Sequence, residues 1–356
     1  MRTISFPRMA NYHVPIEFLL KSLLPGERVL PAPPVTRKTL ELGSRYSPDF
    51  ACAPFKYTLG SFLEALQEGA DVLVQTAGGC RLGYYSEVQR QILWGLGYKF
   101  ELVNLGGNEF GPLGMYRACK KLGCTVGYGR AAYYFALAFR MTAILDELEG
   151  YIRENLVFER PPGRFESLHG EFLNELKNVT GFESLRVIGG KYRRLINSVE
   201  LTQPEEYLRV GLVGELYSLM EPFCNFYMEK ELAKFNIALK RLINVTYLLF
   251  DKKRLASRTL KEARPFLKYE IGADGTDSVA YMKLLAERGY DGIIHLKPFG
   301  CTPEVNAMPI LQNISAEYKI PVLYFSFDSQ TSETGINTRL EAFRDMLEMR
   351  RKLRAK

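Results

Sequence analysis

Apolar residues along this chain follow two rhythms. Short, nearly unbroken apolar runs recur at residues 70–75, 100–105, 208–215, 291–296 and 322–327. Runs of that length, bounded by Gly or Pro, read as strands buried on both faces of a parallel sheet. Between them, apolar positions recur every three or four residues, as at Leu59, Phe62, Leu63 and Leu66. That spacing is the apolar stripe of an amphipathic helix. The opening segment reads as a short strand, a helix over 14–24 and a strand over 27–30, after which Pro31, Pro33 and Pro34 break the pattern. A helix over 57–68, a strand over 70–75, a helix over 84–96 and a strand over 100–105 follow.

From about residue 115 to 200 the strand pattern disappears. Residues 131–156 read as one long helix without proline; Pro161-Pro162-Gly163 interrupts, and helical spacing resumes over 165–178 and 187–199. Strands return at 208–215, near 236–239, at 291–296 and at 322–327, with helices expected over 225–234, 278–288, 309–318 and 340–352. The last carries its basic residues in its final turns, where the helix dipole favours them. Alternation of strand and helix predicts an α/β protein with two Rossmann/flavodoxin-like parallel-sheet domains joined by a helical segment. The expected boundaries are 1–130, 131–205 and 206–356. No repeat of roughly 20–50 residues is evident.

Composition narrows the picture. A chain of 356 residues is too long for one ordinary core. Its hydrophobic fraction of 47% and charged fraction of 24% suit a globular protein. No apolar stretch approaches the roughly 20 residues of a membrane helix. The first residues carry no apolar signal core, so a cytoplasmic protein without a membrane partner is expected. The net charge of +7 comes largely from local runs at 191–194, 252–254 and 350–356. Tyr192-Arg193-Arg194 belongs to no nucleic-acid motif, and no nucleic-acid partner is expected. A mild positive bias suits a small anionic substrate such as a coenzyme A ester.

Six cysteines are too few for a disulfide scaffold in a chain this long. Three stand in loops framed by Gly or Pro: Phe50-Ala51-Cys52-Ala53-Pro54-Phe55-Lys56, Gly78-Gly79-Cys80-Arg81-Leu82-Gly83-Tyr84-Tyr85, and Lys297-Pro298-Phe299-Gly300-Cys301-Thr302-Pro303-Glu304. Cys80 and Cys301 fall just past expected strand ends, where open α/β sheets gather ligands. Thiolates there suggest a soft-metal site, with iron–sulfur the first candidate and inert buried cysteines the alternative. Zinc would favour paired CxxC knuckles, which are absent, and His13, His169 and His295 show no ligand spacing. His295, inside an apolar strand, reads as a core histidine. Cys119 and Cys124 read as packing residues; Cys224 fits either role. Lys56, Arg81, Tyr84 and Lys297 flank the cysteines and could bind an anionic cofactor or substrate. Glu215 and Glu304 are candidate acid/base groups. The 328–335 loop can cap the helix after it, and Arg339 could meet an anion or a neighbouring Glu. Neither a GxSxG elbow nor a GxxxxGK[ST] loop is present.

At these residues the chain resembles the 2-hydroxyacyl-CoA dehydratase subunit family, closest to its dehydratase- or activase-related branch. The likeness is carried by Ile4-Ser5-Phe6-Pro7-Arg8, the three cysteine loops, Val213-Gly214-Glu215-Leu216-Tyr217, His295-Leu296, and Asp328-Ser329-Gln330-Thr331-Ser332-Glu333-Thr334-Gly335. It spans nearly the whole chain. The resemblance implies a 4Fe-4S cluster on three cysteines, which map onto Cys52, Cys80 and Cys301, with the fourth iron open. It also implies an oxygen-sensitive lyase that is reduced by an ATP-dependent iron–sulfur activator and removes water from a 2-hydroxyacyl-CoA by a ketyl-radical route. A paralogous subunit or a homodimer is the implied assembly. The chain departs from the family in being short and in showing no coenzyme A motif. A related group carries a double-cubane cluster on six cysteines and reduces small molecules; here Cys119, Cys124 and Cys224 lack comparable loops. A non-catalytic electron-transfer or scaffold subunit is the remaining alternative.

Overall fold

The computed structural model describes every residue except 76–81, 106–111, 205 and 355–356, with Leu82, Gly83 and Pro112 described in backbone only. The chain forms two compact units. One comprises Met1–Thr142 with Leu176–Phe182, the other Ala143–Glu175 with Glu183–Lys356. The division thus falls inside the long helix Tyr128–Asn155.

The first unit holds a parallel sheet of β1 (Thr3–Ser5), β2 (Arg28–Val29), β3 (Val72–Gln75) and β4 (Glu101–Asn104), in the order β2-β1-β3-β4. Ile4 faces both Val29 and Val72 in register, and Leu73 faces Leu102. The second unit holds β5 (Leu208–Gly214), β6 (Ile237–Arg241), β7 (Gly292–Pro298) and β8 (Val322–Phe327), in the order β6-β5-β7-β8. Both sheets therefore place their own first strand between the second and third, which is the flavodoxin-like order. In that order the winding reverses between first and third strands and leaves a crevice beyond their carboxyl ends. The crevices fall at β1/β3 and at β5/β7. Residues 76–81, with Cys80, follow β3 directly; Cys301 stands just after β7.

Burial follows the expected pattern. Ile4, Leu20, Leu23, Val72 and Val74 pack in one cluster of the first unit, and Phe55, Leu59, Phe62 and Leu73 in another. Val72 and Val74 thus go to one cluster and Leu73 to the other, as the period of two in a doubly covered strand requires.

Two helices begin earlier than their sequence spacing suggests, and both begin at a cysteine. Helix Ala53–Gln67 starts after Cys52 rather than at 57, and helix Thr302–Tyr318 starts after Cys301 rather than at 309. Each has a proline in its first turn, where the missing N–H costs nothing and the fixed φ suits the helix. Those prolines read as loop signals in sequence. Pro309 lies inside the second helix. A further helix, Arg37–Tyr46, follows the proline-rich segment and is opened by a capping box between Thr36 and Thr39.

Helices Arg37–Tyr46 and Ala53–Gln67 meet at glycines. A Cβ on Gly43 would lie 1.7 Å from the Lys56 carbonyl oxygen, and one on Gly60 would lie 1.9 Å from that of Thr39. Thr39 Oγ1 also donates to buried Glu64 at 2.6 Å. This contact fixes the helix that carries Cys52. Gly43→Ala should cost about 1–3 kcal/mol through overpacking, read as a lower urea midpoint. An unchanged midpoint would mean that the helices separate without penalty.

Candidate functional site at the strand ends

In the first unit, Cys52 occupies the N-cap of helix Ala53–Gln67, and its carbonyl accepts from the Phe55 amide at 3.1 Å. Its half-buried thiol lies 3.8 Å from the Tyr85 hydroxyl. Tyr85 packs edge-on against Phe55, with ring centroids 4.7 Å apart. Helix Leu82–Gly95 is tied to the Cys52 helix by Gln89, which donates to the Phe55 carbonyl at 3.2 Å and to Thr58 Oγ1 at 2.7 Å. The helix that follows residues 76–81 is thereby held against Cys52. Cys80 and Arg81 lie outside the described residues. Tyr84, expected to flank the site, is 79% exposed; the ring that meets Cys52 belongs to the next residue, about 100° round the helix. Lys56 lies half-buried in the first turn after Cys52.

The second unit contributes more polar chemistry. Cys301, half-buried, is the N-cap of the 17-residue helix Thr302–Tyr318, and its carbonyl accepts from the Val305 amide at 2.9 Å. Both described loop cysteines thus stand at the electropositive end of a helix, a setting that favours thiolate. Lys297, near the end of β7, is 5% exposed. Burial pushes its pKa down, and Cys301 and Glu304 oppose that shift. Its ammonium makes no hydrogen bond or ion pair with a described residue.

Glu304, fully buried on the first turn after Cys301, accepts from Ser278 Oγ at 3.1 Å and from His295 Nε2 at 2.7 Å. His295 is also fully buried, and its Nδ1 has no partner among the described residues. The same holds for the hydroxyl of Tyr324, whose ring lies 5.5 Å edge-on from the imidazole. Among the described residues, the histidine read as a core residue is therefore satisfied on one nitrogen only.

Glu215 follows β5 at a forced turn. Gly214 adopts φ +142°, and a Cβ there would lie 1.9 Å from the Leu296 carbonyl oxygen, so only glycine lets β5 close against β7. The Glu215 carboxylate accepts from the Tyr217 and Ser218 amides and from Ser218 Oγ, each at 2.9 Å. Burial, with the charge of Asp274, nevertheless pushes its pKa up to about 7. Asp274 accepts from the Leu216 amide at 3.0 Å and pairs with Lys252 at 2.6 Å. Lys252 also pairs with Asp277 at 2.8 Å, and Tyr247 donates to the other Asp277 oxygen at 2.6 Å. Burial works against the Lys252 charge, but the two aspartates outweigh it and raise its pKa. Lys252, Asp274 and Asp277 were not singled out in sequence, because polar residues spaced along two helices show no local motif. Glu215 and Glu304 sit in separate hydrogen-bond networks.

The remaining candidates are accounted for locally. Cys119 and Cys124 are buried in a core cluster of the first unit, and burial pushes the Cys119 thiol up to about 12. Cys224 is 1% exposed. Arg339 donates to the Tyr324 carbonyl at 2.6 Å and lies over the Phe325 ring. Ser332 caps helix Glu333–Arg354 through the Gly335 amide, and Asp328 accepts from the Gln330 amide and Thr331 hydroxyl. Among the described residues no group of three or more His, Cys, Asp or Glu side chains is arranged to hold a metal ion. No described helix is long and apolar enough to cross a membrane.

Residues 253–347 match the family model for 2-hydroxyglutaryl-CoA dehydratase, D-component. This part of the chain is dehydratase-like, in agreement with the resemblance drawn from the motifs. The matched segment contains β7, Lys297, Cys301, Glu304 and β8. No curated protein matches the chain.

Glu304→Ala would leave both His295 nitrogens unpartnered in a sealed interior. Breaking such a buried pair should cost about 3–5 kcal/mol, measured by chemical unfolding; a loss below about 1 kcal/mol would show that the pair is not confined. Glu215 makes a pH prediction. Its folded pKa lies above its ordinary value of 4.5, so between pH 4.5 and about 7 the folded chain holds a proton that the unfolded chain releases. Stability from this group is fully present below that window and is lost as pH rises through it. Glu215→Gln should flatten this fall in stability across the window. A variant that tracks the original chain at every pH would rule out the raised pKa.

Proposed function

We propose that this chain is an iron–sulfur subunit of the 2-hydroxyacyl-CoA dehydratase kind, with a 4Fe-4S cluster held by Cys52, Cys80 and Cys301. The observation that carries the reading is the placement of Cys301. It lies inside the matched segment, just past the end of β7, at a helix N-terminus and four residues after Lys297. The donor set suits the cofactor. Cys52 and Cys301 are half-buried and outside disulfides, their helix ends offer amide dipoles, and Lys297 offers a full positive charge. Cys119, Cys124 and Cys224 are core residues, which argues against the six-cysteine double-cubane alternative.

When bound, the cluster supplies an electron for reductive removal of water from the acyl thioester. The protein groups do the rest. Glu215, with a pKa near neutral, can hold a proton at physiological pH and release it to a departing hydroxyl, the task of a general acid. Glu304 is locked by Ser278 and His295 and supports the cysteine helix instead. Lys297 can stabilise negative charge on sulfur or on a thioester oxygen. An ATP-dependent activator is the expected electron donor, a paralogous subunit or second copy the expected partner, and an acyl-CoA the expected substrate. Reduced thiols fit a cytoplasmic, oxygen-poor setting.

Anaerobically prepared protein should be brown, contain iron and acid-labile sulfide, and give a paramagnetic signal on reduction. Cys301→Ser should lose most of the iron, and acyl-CoA esters should shift the spectrum. Colourless, iron-free protein would contradict the proposal; a cluster indifferent to every ester would make the chain an electron carrier.

A further inference from the structure

The closing helix of the second unit, Glu333–Arg354, carries two apolar stripes, and its own unit uses one of them. Ile336, Leu340, Phe343 and Leu347 are buried. They seat the helix on β7, where a Cβ on Gly292 would lie 2.8 Å from Phe343 and 3.1 Å from Leu347. The second stripe is Ala342, Met346, Met349 and Leu353, spaced by four, three and four residues. It lies about 120° round the helix from the first, counting 100° per residue. Met349 is 61% exposed and Leu353 74%; Ala342 is also exposed and Met346 half-buried. A continuous exposed row of apolar side chains loses solvation free energy that a partner restores by covering it.

Alternating steps of four and three mark the seam of a two-stranded coiled coil. Charges flank the seam on both sides. Asp345 lies on one edge and Arg350 on the other, five residues later. Those are the two flanking positions that meet across a parallel helix pair. Asp345 is exposed and has Arg344 of its own chain at 2.6 Å, whereas Arg350 makes no ion pair among the described residues. We infer that this stripe docks on the same stripe of a second copy of the chain, the two closing helices running parallel about a two-fold axis, with Asp345 of each copy against Arg350 of the other. The two-fold axis makes that charge contact twice. An antiparallel pair would set like edges against each other. A lipid surface suits the stripe less well: Glu341, Asp345 and Glu348 on the same helix repel anionic headgroups, and a helix already packed on a sheet has little free apolar face to insert. The seam is short, so the association is weak and depends on concentration. Nothing in this contact needs the cluster, and metal-free, reduced protein serves for its test.

Sedimentation velocity over a range of concentrations compares the full chain with Met349→Glu, Asp345→Arg and the double variant Asp345→Arg, Arg350→Asp. The original chain should move toward twice its mass as concentration rises. Met349→Glu should stay monomeric, Asp345→Arg should dimerise about 10-fold more weakly, and the charge swap should recover most of that loss. Met349→Cys, mildly oxidised, should cross-link to its own counterpart across the axis, and Glu348→Cys, on another face of the helix, should not. Should Met349→Glu fail to fold, by circular dichroism, Leu353→Glu takes its place. A chain that is monomeric at every concentration overturns the inference. So does a dimer indifferent to Met349→Glu, a charge swap no better than Asp345→Arg alone, or a Met349→Cys variant that forms no cross-link. Binding of the original chain to anionic phospholipid vesicles, lost in Met349→Glu, would give the stripe to lipid and overturn it equally. Iron content is measured separately, so a monomer that holds a cluster would refute this contact and leave the proposed function standing.

Discussion

Every position of β7 is buried, yet the strand carries a histidine and a lysine among Ile293, Ile294 and Leu296. A strand covered on both faces tolerates such residues only where partners answer them. That constraint organises the second unit. Glu304 answers His295 and must therefore sit on the first turn of the helix that begins at Cys301. Ser278, on helix Gly275–Glu287, closes the same carboxylate from the other side. Gly214 lets β5 press against Leu296 and delivers Glu215 to the adjacent strand end. Lys297, near the end of the same strand, is disfavoured as a charge by burial and favoured by Cys301 and Glu304.

The strand framework was legible because doubly buried parallel strands leave unbroken apolar runs. Residues 322–327 were read as a strand and form one with the same limits. The two helix starts at Cys52 and Cys301 were not legible, because Pro54 and Pro303 signal a loop as readily as a first turn. This matters for the chemistry. Cys52 and Cys301, read as lying in loops, are N-caps of helices, and their surroundings are set by packing.

Side-chain partnerships were less legible still. Tyr84 stood out in sequence beside the cysteine loop, but Tyr85 reaches Cys52, and neighbouring positions on a helix cannot be told apart without knowing which face is covered. Glu215 and Glu304 looked alike as acidic residues after strands. Burial and Asp274 give Glu215 a near-neutral proton, whereas histidine and serine fix Glu304 in place. Only the three-dimensional surroundings separate a carboxyl whose pKa is raised from one fixed in place.

The two units repeat one strand order, and in sequence each carries a cysteine soon after its third strand: Cys80 after β3 and Cys301 after β7. The proposed iron–sulfur cluster on three cysteines is the account's central claim. Mössbauer spectroscopy of isotopically enriched, anaerobically loaded protein tests it most directly. Three cysteine ligands leave one iron without a protein thiolate, so the spectrum should contain one iron site distinct from the others and sensitive to added acyl-CoA. A spectrum in which every iron has the same all-sulfur surroundings, or a protein that binds no iron, would contradict the account.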